Sequence, residues 1–376
     1  MYTFLIIVFL VYGGINAYAF VRAFHGLSLS VAAGAGLAAF MAFMVFSPFL
    51  VRILESRDQA LATWLGYASY FWMGFIFLFF CSSLVVDFYR LAIWSLRHIF
   101  RQMPGPLSLP AFAAFIVPFA AAVLISVYGL FEAQNIRAES VTIATPKLSG
   151  RNDRIRIVQI SDIHLGLIVG PRRLEKILSI VAEARPDILI STGDLIDGDS
   201  PTLRRSIAML KEVNPPLGKF AVTGNHEFYA GIERALAVTR EAGFKVLRQE
   251  CFTIPGAVRI AGVDDRGEAG GLMPDNSIDR QVLARGTPEF TVFLKHRPAV
   301  NRSTLGMFDL QLSGHTHRGQ IFPFRLITRL FFPLDSGLYE LPECSRLYSS
   351  RGTGTWGPPV RFFSPPEVTI IDLIKK

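Results

Sequence analysis

Four long stretches without a single charge dominate the first third of the chain: residues 2–21, 27–51, 60–86 and 102–131. A helix needs about 20 apolar residues to cross a bilayer, and each stretch has that length. A surface helix of a water-soluble domain carries polar residues every third or fourth position, and these stretches do not. The pattern predicts a membrane domain over 1–137 with four transmembrane helices, at 2–21, 27–51, 62–86 and 108–131. The first stretch lacks the basic leading region of a cleaved signal and reads as a retained span. Gly34 and Gly36 allow close helix approach in the second, and Pro118 marks a kink in the fourth. Between the third and fourth stretches, Arg90, Trp94, Arg97 and Arg101 form one helical stripe. It is either a helix lying in the interface or a plain extension of the third span.

A linker over 138–154 leads to a second texture, in a domain over 155–376. Short β-rich runs end in polar, glycine-bearing clusters: RIRIVQI before SDIHLG, DILIS before TGDLIDGD, KFAVT before GNHE. RIAGVDD, TVFLKHRP and DLQLSGHTHRG follow later. Between them lie helix-like stretches; the first, opened by Pro171, places Leu174, Ile177, Leu178 and Val181 at helical spacing. Strand and helix patterns alternating in this way argue for an α/β domain, whose functional groups gather beyond the carboxyl ends of the strands.

Composition sharpens the division. Residues 1–131 carry six Arg and three acidic side chains, whereas the remainder holds the other 59 charges. No ionisable residue falls within an expected span, so the membrane part reads as an anchor rather than a transporter. The net charge of +8 suits phospholipid or phosphate-bearing partners, but no basic run is dense enough to expect nucleic acid. Cys81, Cys251 and Cys344 are too scattered for a disulfide framework or a zinc knuckle. An even number of spans puts Arg52, Arg57, Arg137, Lys147 and Arg151 on the side of the C-terminal domain. Arg22, Arg90, Arg97 and Arg101 fall on the other side, so the balance leans towards a cytoplasmic domain on a multi-pass inner-membrane protein.

Five of the seven histidines lie in the strand-end clusters: His164, His226, His296, His315 and His317. Asp162, Asp194 and Asn225 stand in the same places. Imidazole and oxygen donors without thiolate suit divalent Mn, Fe, Zn, Ni or Co.

The ordered set D-x-H, GD, GNHE, a single His after a strand, and GHTH resembles the calcineurin-like metallophosphoesterase superfamily. The SRGTGTWGPP run at 350–359 is similar to its membrane-anchored bacterial branch. The resemblance implies a metallophosphoesterase β-sandwich flanked by helices and a site for two divalent cations. Asp162, His164 and His317 would hold the first cation, Asp194 would bridge with one oxygen to each, and Asn225, His296 and His315 would complete the second. His226 would face the substrate, either stabilising the transition state or protonating the leaving oxygen. Two such ions about 3.5–4 Å apart share and activate a water as hydroxide for in-line attack on phosphorus.

The implied activity is a metal-dependent phosphoric ester hydrolase acting on a phosphoester or pyrophosphate bond. A membrane anchor favours a lipid-linked substrate, of which UDP-diacylglucosamine is one within the superfamily. The alternatives are a phosphodiesterase on a soluble substrate and a catalytically silent sensor or scaffold. Asp197 and Asp199 read as supporting or capping groups, and Asp264 and Asp265 as loop-structural. Arg318 stands where the related branch usually has glycine, and points either to a phosphate or to solvent. The apolar run IFPFRLITRLFFPL, with Arg325 and Arg329, is either a docking lip close to the metals or part of the core.

Overall fold

The computed structural model describes all residues except 1, 101–108, 149–152, 199, 201, 266–275 and 285; for 2–8 and 276 only the backbone is described. Asp199, Arg101 and Arg151, named above, therefore lie outside the described residues. The chain divides into two units, residues 1–131 with 358–360, and residues 132–357 with 361–376.

The first unit is helical: α1 (Tyr2–Gly26), α2 (Val31–Leu54), α3 (Gln59–Ile99) and α4 (Ala111–Gln134). Among the described residues three helices, α2, α3 and α4, are long and apolar enough to cross a membrane, where the sequence pattern led to four. The remaining expected span falls in α1, whose first side chains lie outside the description. Helix starts follow capping chemistry. Ser30 accepts from Ala33 N and Asp58 from Leu61 N, satisfying donors that have no partner within the helix. α3 continues unbroken through Arg90, Trp94 and Arg97, so this stripe is an extension of the third span. Its 41 residues measure about 60 Å, twice the bilayer core. At the ends of the apolar windows, Tyr18 and Arg22 both hydrogen-bond Asp87.

The second unit holds two six-stranded mixed sheets. The strands are β1 (Arg137–Thr145), β2 (Arg154–Ile160), β3 (Ile188–Ser191), β4 (Lys219–Ala221), β5 (Lys245–Val246) and β6 (Glu250–Ile254). They continue with β7 (Val258–Gly262), β8 (Phe290–Leu294), β9 (Leu310–Ser313), β10 (Gly337–Glu340), β11 (Arg346–Ser349) and β12 (Glu367–Lys375). One sheet runs β1-β12-β2-β3-β4-β5, the other β10-β11-β9-β8-β7-β6. Residues 138–145, expected in a linker, instead form with Arg137 the edge strand β1, paired in parallel with β12 along its whole length. Its sequence, RAESVTIAT, alternates in burial as a strand with one covered face must.

The sheets pack face to face. Ile155, Ile157, Ile188, Ile190 and Phe220 of the first share one buried cluster with Val258, Ile260, Val292, Leu310 and Leu312 of the second. The outer face of the first sheet is covered by α5 (Pro171–Ala184), α6 (Leu203–Glu212) and α8 (Ile232–Glu241). Pro171 opens α5, whose Leu174, Ile177 and Val181 are fully buried on one face. Each such side chain contributes about 1.5–3 kcal/mol by leaving water. Strands β2, β3 and β4 run parallel in one sheet, and β8 and β9 run parallel in the other. Their carboxyl ends carry, in order, Asp162 with His164, Asp194, Asn225, His296, and His315 with His317.

Candidate functional site

Six of the seven residues expected to hold metal are brought together at these strand ends, and the seventh, Asn225, follows β4. Asp162, His164 and His317 form one buried group, and buried Asp194 and His296 form another with half-buried His315. A third group, His164, Asp194 and His226, overlaps both. Nε2 of His164 lies 3.1 Å from Nε2 of His317, and Nδ1 of His315 lies 3.1 Å from Nε2 of His296. Asp162 Oδ1 is 3.6 Å from His317 Nε2.

Asp194 sits between the two groups. Its Oδ2 is 3.2 Å from His296 Nε2 and 3.8 Å from His164 Nε2, while its Oδ1 accepts the backbone N–H of His226 at 2.9 Å. One oxygen therefore faces both groups, whereas the sequence reading gave one oxygen to each. Nδ1 of His296 meets Thr192 O at 2.8 Å; as donor there, it leaves Nε2 with a free lone pair. Asn225 is buried, and its Oδ1 has no hydrogen-bond partner. An unpaired buried carbonyl costs about 1–3 kcal/mol, which a cation at this place would remove.

The local backbone is shaped for this convergence. Asp162, His164, Asp194, His315 and His317 all have φ between 46 and 71°, the left-handed region that side chains other than glycine rarely occupy. Each costs about 1–3 kcal/mol, and such strain collects where surrounding structure enforces a functional geometry. The glycines of the motifs have an equally specific reason. A Cβ on Gly224 would lie 2.2 Å from Asp194 Oδ1, and one on Gly314 would lie 2.2 Å from Asp162 Oδ2.

Charge is concentrated here too. Burial alone would lower the pKa of His296, but Asp194 and Asp162 push it up to about 10. His226 follows the same logic: burial opposes protonation, Asp194 and Asp197 overcome it, and the pKa rises to about 9. Burial holds the Asp162 carboxyl above its ordinary range, with Asp194 adding to the shift. His315 and His317 are driven well below the usual histidine value, by burial first and then by His296 and Arg361 respectively. These carboxylates thus impose positive charge on whatever shares the site.

Several residues with a part in the site were missed or underrated in the sequence. Asp197 Oδ1 is 2.6 Å from His226 Nδ1 and 3.7 Å from His164 Nδ1, so it braces an imidazole rather than capping a helix. Glu227, the last residue of GNHE, is buried and accepts from the backbone N–H groups of Asp194, Leu195, Ile196 and Gly224. Its place inside the motif was the available signal. Arg361 is fully buried; it donates to the carbonyls of Gly354 and Arg351 and lies 3.0 Å from His317 Nδ1. Nothing in the local pattern around Arg361 announces that role.

Other residues have structural partners. Asp264 takes bonds from Thr223 and Arg248, and Asp265 pairs with Arg297, in keeping with loop-structural roles. Arg318 is half-buried with Nε unpaired, and its pKa is lowered by burial and by Arg325 and Arg351. The His226 ring is flanked by His164, Tyr229 and Trp356, with centroids 4.6, 5.4 and 5.5 Å away.

Two sheets that deliver histidine and carboxylate groups from their strand ends to one place form a candidate metal centre of phosphoesterase type. Residues 155–319 match the family model of the calcineurin-like phosphoesterases. The chain is 42% identical over 255 residues to an uncharacterized metallophosphoesterase of Aquifex aeolicus (strain VF5), covering 67% of this chain and 97% of the relative. It is 32% identical over 378 residues to an uncharacterized metallophosphoesterase of Campylobacter jejuni, covering 98% and 97%. A transmembrane protein with metallophosphoesterase domain from Danio rerio is 30% identical over 82% of this chain and 74% of its own. The chain belongs to the metallophosphoesterase family.

Proposed function

We propose that the protein is a membrane-anchored phosphohydrolase that uses two divalent cations to cleave a phosphoester or pyrophosphate bond in a lipid-linked substrate. The observation that carries this reading is Asp194 Oδ2, within 3.2 Å of His296 and 3.8 Å of His164, between two sets of buried donors. Asp162, His164 and His317 would hold one cation, Asn225, His296 and His315 would hold the other, and Asp194 would serve both. The residues fit such ions, as the unpaired Asn225 Oδ1 and the facing imidazole nitrogens indicate. When bound, the cations supply an activated water and neutralise charge on the phosphoryl oxygens.

The remaining chemistry falls to His226. Its Nδ1–H is tied to Asp197, which orients the ring and leaves Nε2 as the proton donor to the departing oxygen. Anchoring is supported by three helices of membrane-spanning length and composition and by a relative named as a transmembrane protein. The basic residues near the span ends favour a cytoplasmic position for the catalytic unit.

The test compares full-length protein with Asp194→Ala, each stripped and reloaded with Mn²⁺, on an aryl phosphodiester, an aryl monoester and a UDP-linked acylated sugar. Turnover by the parent and loss of at least about 10³-fold in the variant are expected. A parent that binds no metal, or a variant that keeps its activity, would sink the proposal. A parent faster on a deacylated than on an acylated substrate removes the lipid-linked class.

A further inference from the structure

Helix α10 (Phe324–Phe331) is turned inside out. A helix in a water-soluble domain buries its apolar stripe and exposes its charges. At about 100° per residue, Phe324, Leu326, Ile327, Leu330 and Phe331 share an arc of about 160°, opposite Thr328, Arg325 and Arg329. The polar side is the one fixed to the protein. Arg325 makes two bonds to Asp335, 2.7 and 3.2 Å, and Asp335 is fully buried. A Cβ on Gly319, two residues beyond His317, would lie 2.4 Å from Arg325 Cα, so the site loop packs directly on this side. The apolar side is open to solvent: no residue of α10 is buried, and Leu330 and Phe331 are 80% and 67% exposed.

The exposed surface extends beyond the helix. Phe322 and Phe363, both exposed, are in ring contact at 6.1 Å. Ser364, next in the chain, donates its N–H to Glu132 at 2.7 Å. Glu132 lies in the last turn of α4, the candidate span that leads into the second unit. Phe363, at one end of this surface, thus stands one residue from the bond that ties Ser364 to the last turn of α4. At its other end, Phe332 touches the His315 ring at 5.2 Å.

We propose that the outward face of α10, together with Phe322 and Phe363, is a docking surface that rests in the headgroup–acyl boundary of the bilayer anchoring the chain. This rests on the membrane-anchored part of the reading above. Five apolar side chains pointing away from the protein have a free-energy reason to enter lipid, and exposed Arg329 at the edge of the arc meets the phosphates there. Docking brings a bilayer surface within one side chain of the metal-site histidines, where a lipid-borne phosphate arrives without leaving its membrane.

The test uses full-length protein in lipid nanodiscs, with Cys81, Cys251 and Cys344 replaced by serine. A fluorophore is placed on Leu330→Cys, or, as control, on Glu212→Cys, an exposed position at the end of α6. Lipids brominated in the upper acyl chain are expected to quench the Leu330 probe and spare the Glu212 probe. Equal weak quenching at both positions overturns the proposal. Quenching that appears only on adding a lipid-linked substrate assigns the face to substrate, and self-crosslinking through Leu330→Cys assigns it to a second copy; both overturn docking. With the probe on Phe331→Cys, Leu330→Glu is expected to lower quenching about threefold or more. Unchanged quenching overturns the role of the apolar face. None of these readouts needs turnover, so a failed hydrolase assignment remains distinguishable from failed docking.

Discussion

Asp197 Oδ1 lies 2.6 Å from Nδ1 of His226, and this pair links the turn after β3 to the first turn of α7 (Asn225–Tyr229). The carboxylate fixes the tautomer and the rotation of the imidazole, so that Nε2 is the nitrogen left for a substrate. In the proposed reading the neighbours divide two roles: the unpaired Oδ1 of buried Asn225 would serve a cation, and the His226 ring, held by Asp197, would serve proton transfer.

His226→Asn is therefore expected to lower kcat by about 10²–10⁴-fold, and Asp197→Asn by about 10–100-fold, with metal content unchanged in both. The loss at His226 is expected to be smaller for an aryl leaving group, which departs without a proton, than for an alkyl one. Equal losses on both would show that His226 stabilises charge instead of protonating the leaving oxygen. Steady-state kinetics paired with elemental analysis of the bound metal make the comparison.

Gly224→Ala and Gly314→Ala each drive a methyl group to within 2.2 Å of a site carboxylate. Both variants are expected to lose metal and about 1–3 kcal/mol of stability, since neither neighbour can retreat without moving its strand end. Gly166→Ala is the control, because its added Cβ meets nothing nearer than 3.5 Å. Metal content and thermal midpoints of the three variants decide the matter; a Gly224→Ala protein with full metal occupancy would contradict the geometry.

Acid stability has an identifiable contributor far from the metals. Arg156 binds both carboxylate oxygens of Asp372 at 2.8 Å, tying β2 to β12. That pairing holds the Asp372 pKa below the ordinary carboxylate value against the opposing effect of burial. A carboxyl depressed in the folded state adds stability above its unfolded pKa, about 3.9, and loses it as pH falls through the folded value. The thermal midpoint of the parent is expected to exceed that of Asp372→Asn at pH 7, and the two to converge below about pH 4. A gap that persists unchanged at pH 3 would refute the assignment.

The kinds and order of the functional residues were legible along the chain because strand-end motifs are local. Each β-rich run is followed at once by its Asp, His or Asn, and parallel strands carry such endings to one edge. The apolar windows were legible for the same reason, since crossing a bilayer constrains every residue of a segment together. Extent was read less well: three helices qualify as spans among the described residues, and the third runs 41 residues without a break.

What tertiary structure decided were relations between distant segments. β1 became a strand only because β12, more than 220 residues later, offers its edge. The Asp194 carboxylate turned one oxygen to both histidine sets because the His226 N–H occupies the other. Arg361 reached His317 across 44 residues. The left-handed backbone of Asp162, His164, Asp194, His315 and His317 is likewise enforced by packing, against the local preference of each residue. The run 321–334 has the composition of core and of docking surface alike. The Arg325–Asp335 pair turned its apolar side outward, because an ion pair with one buried partner fixes which face of a helix meets the protein.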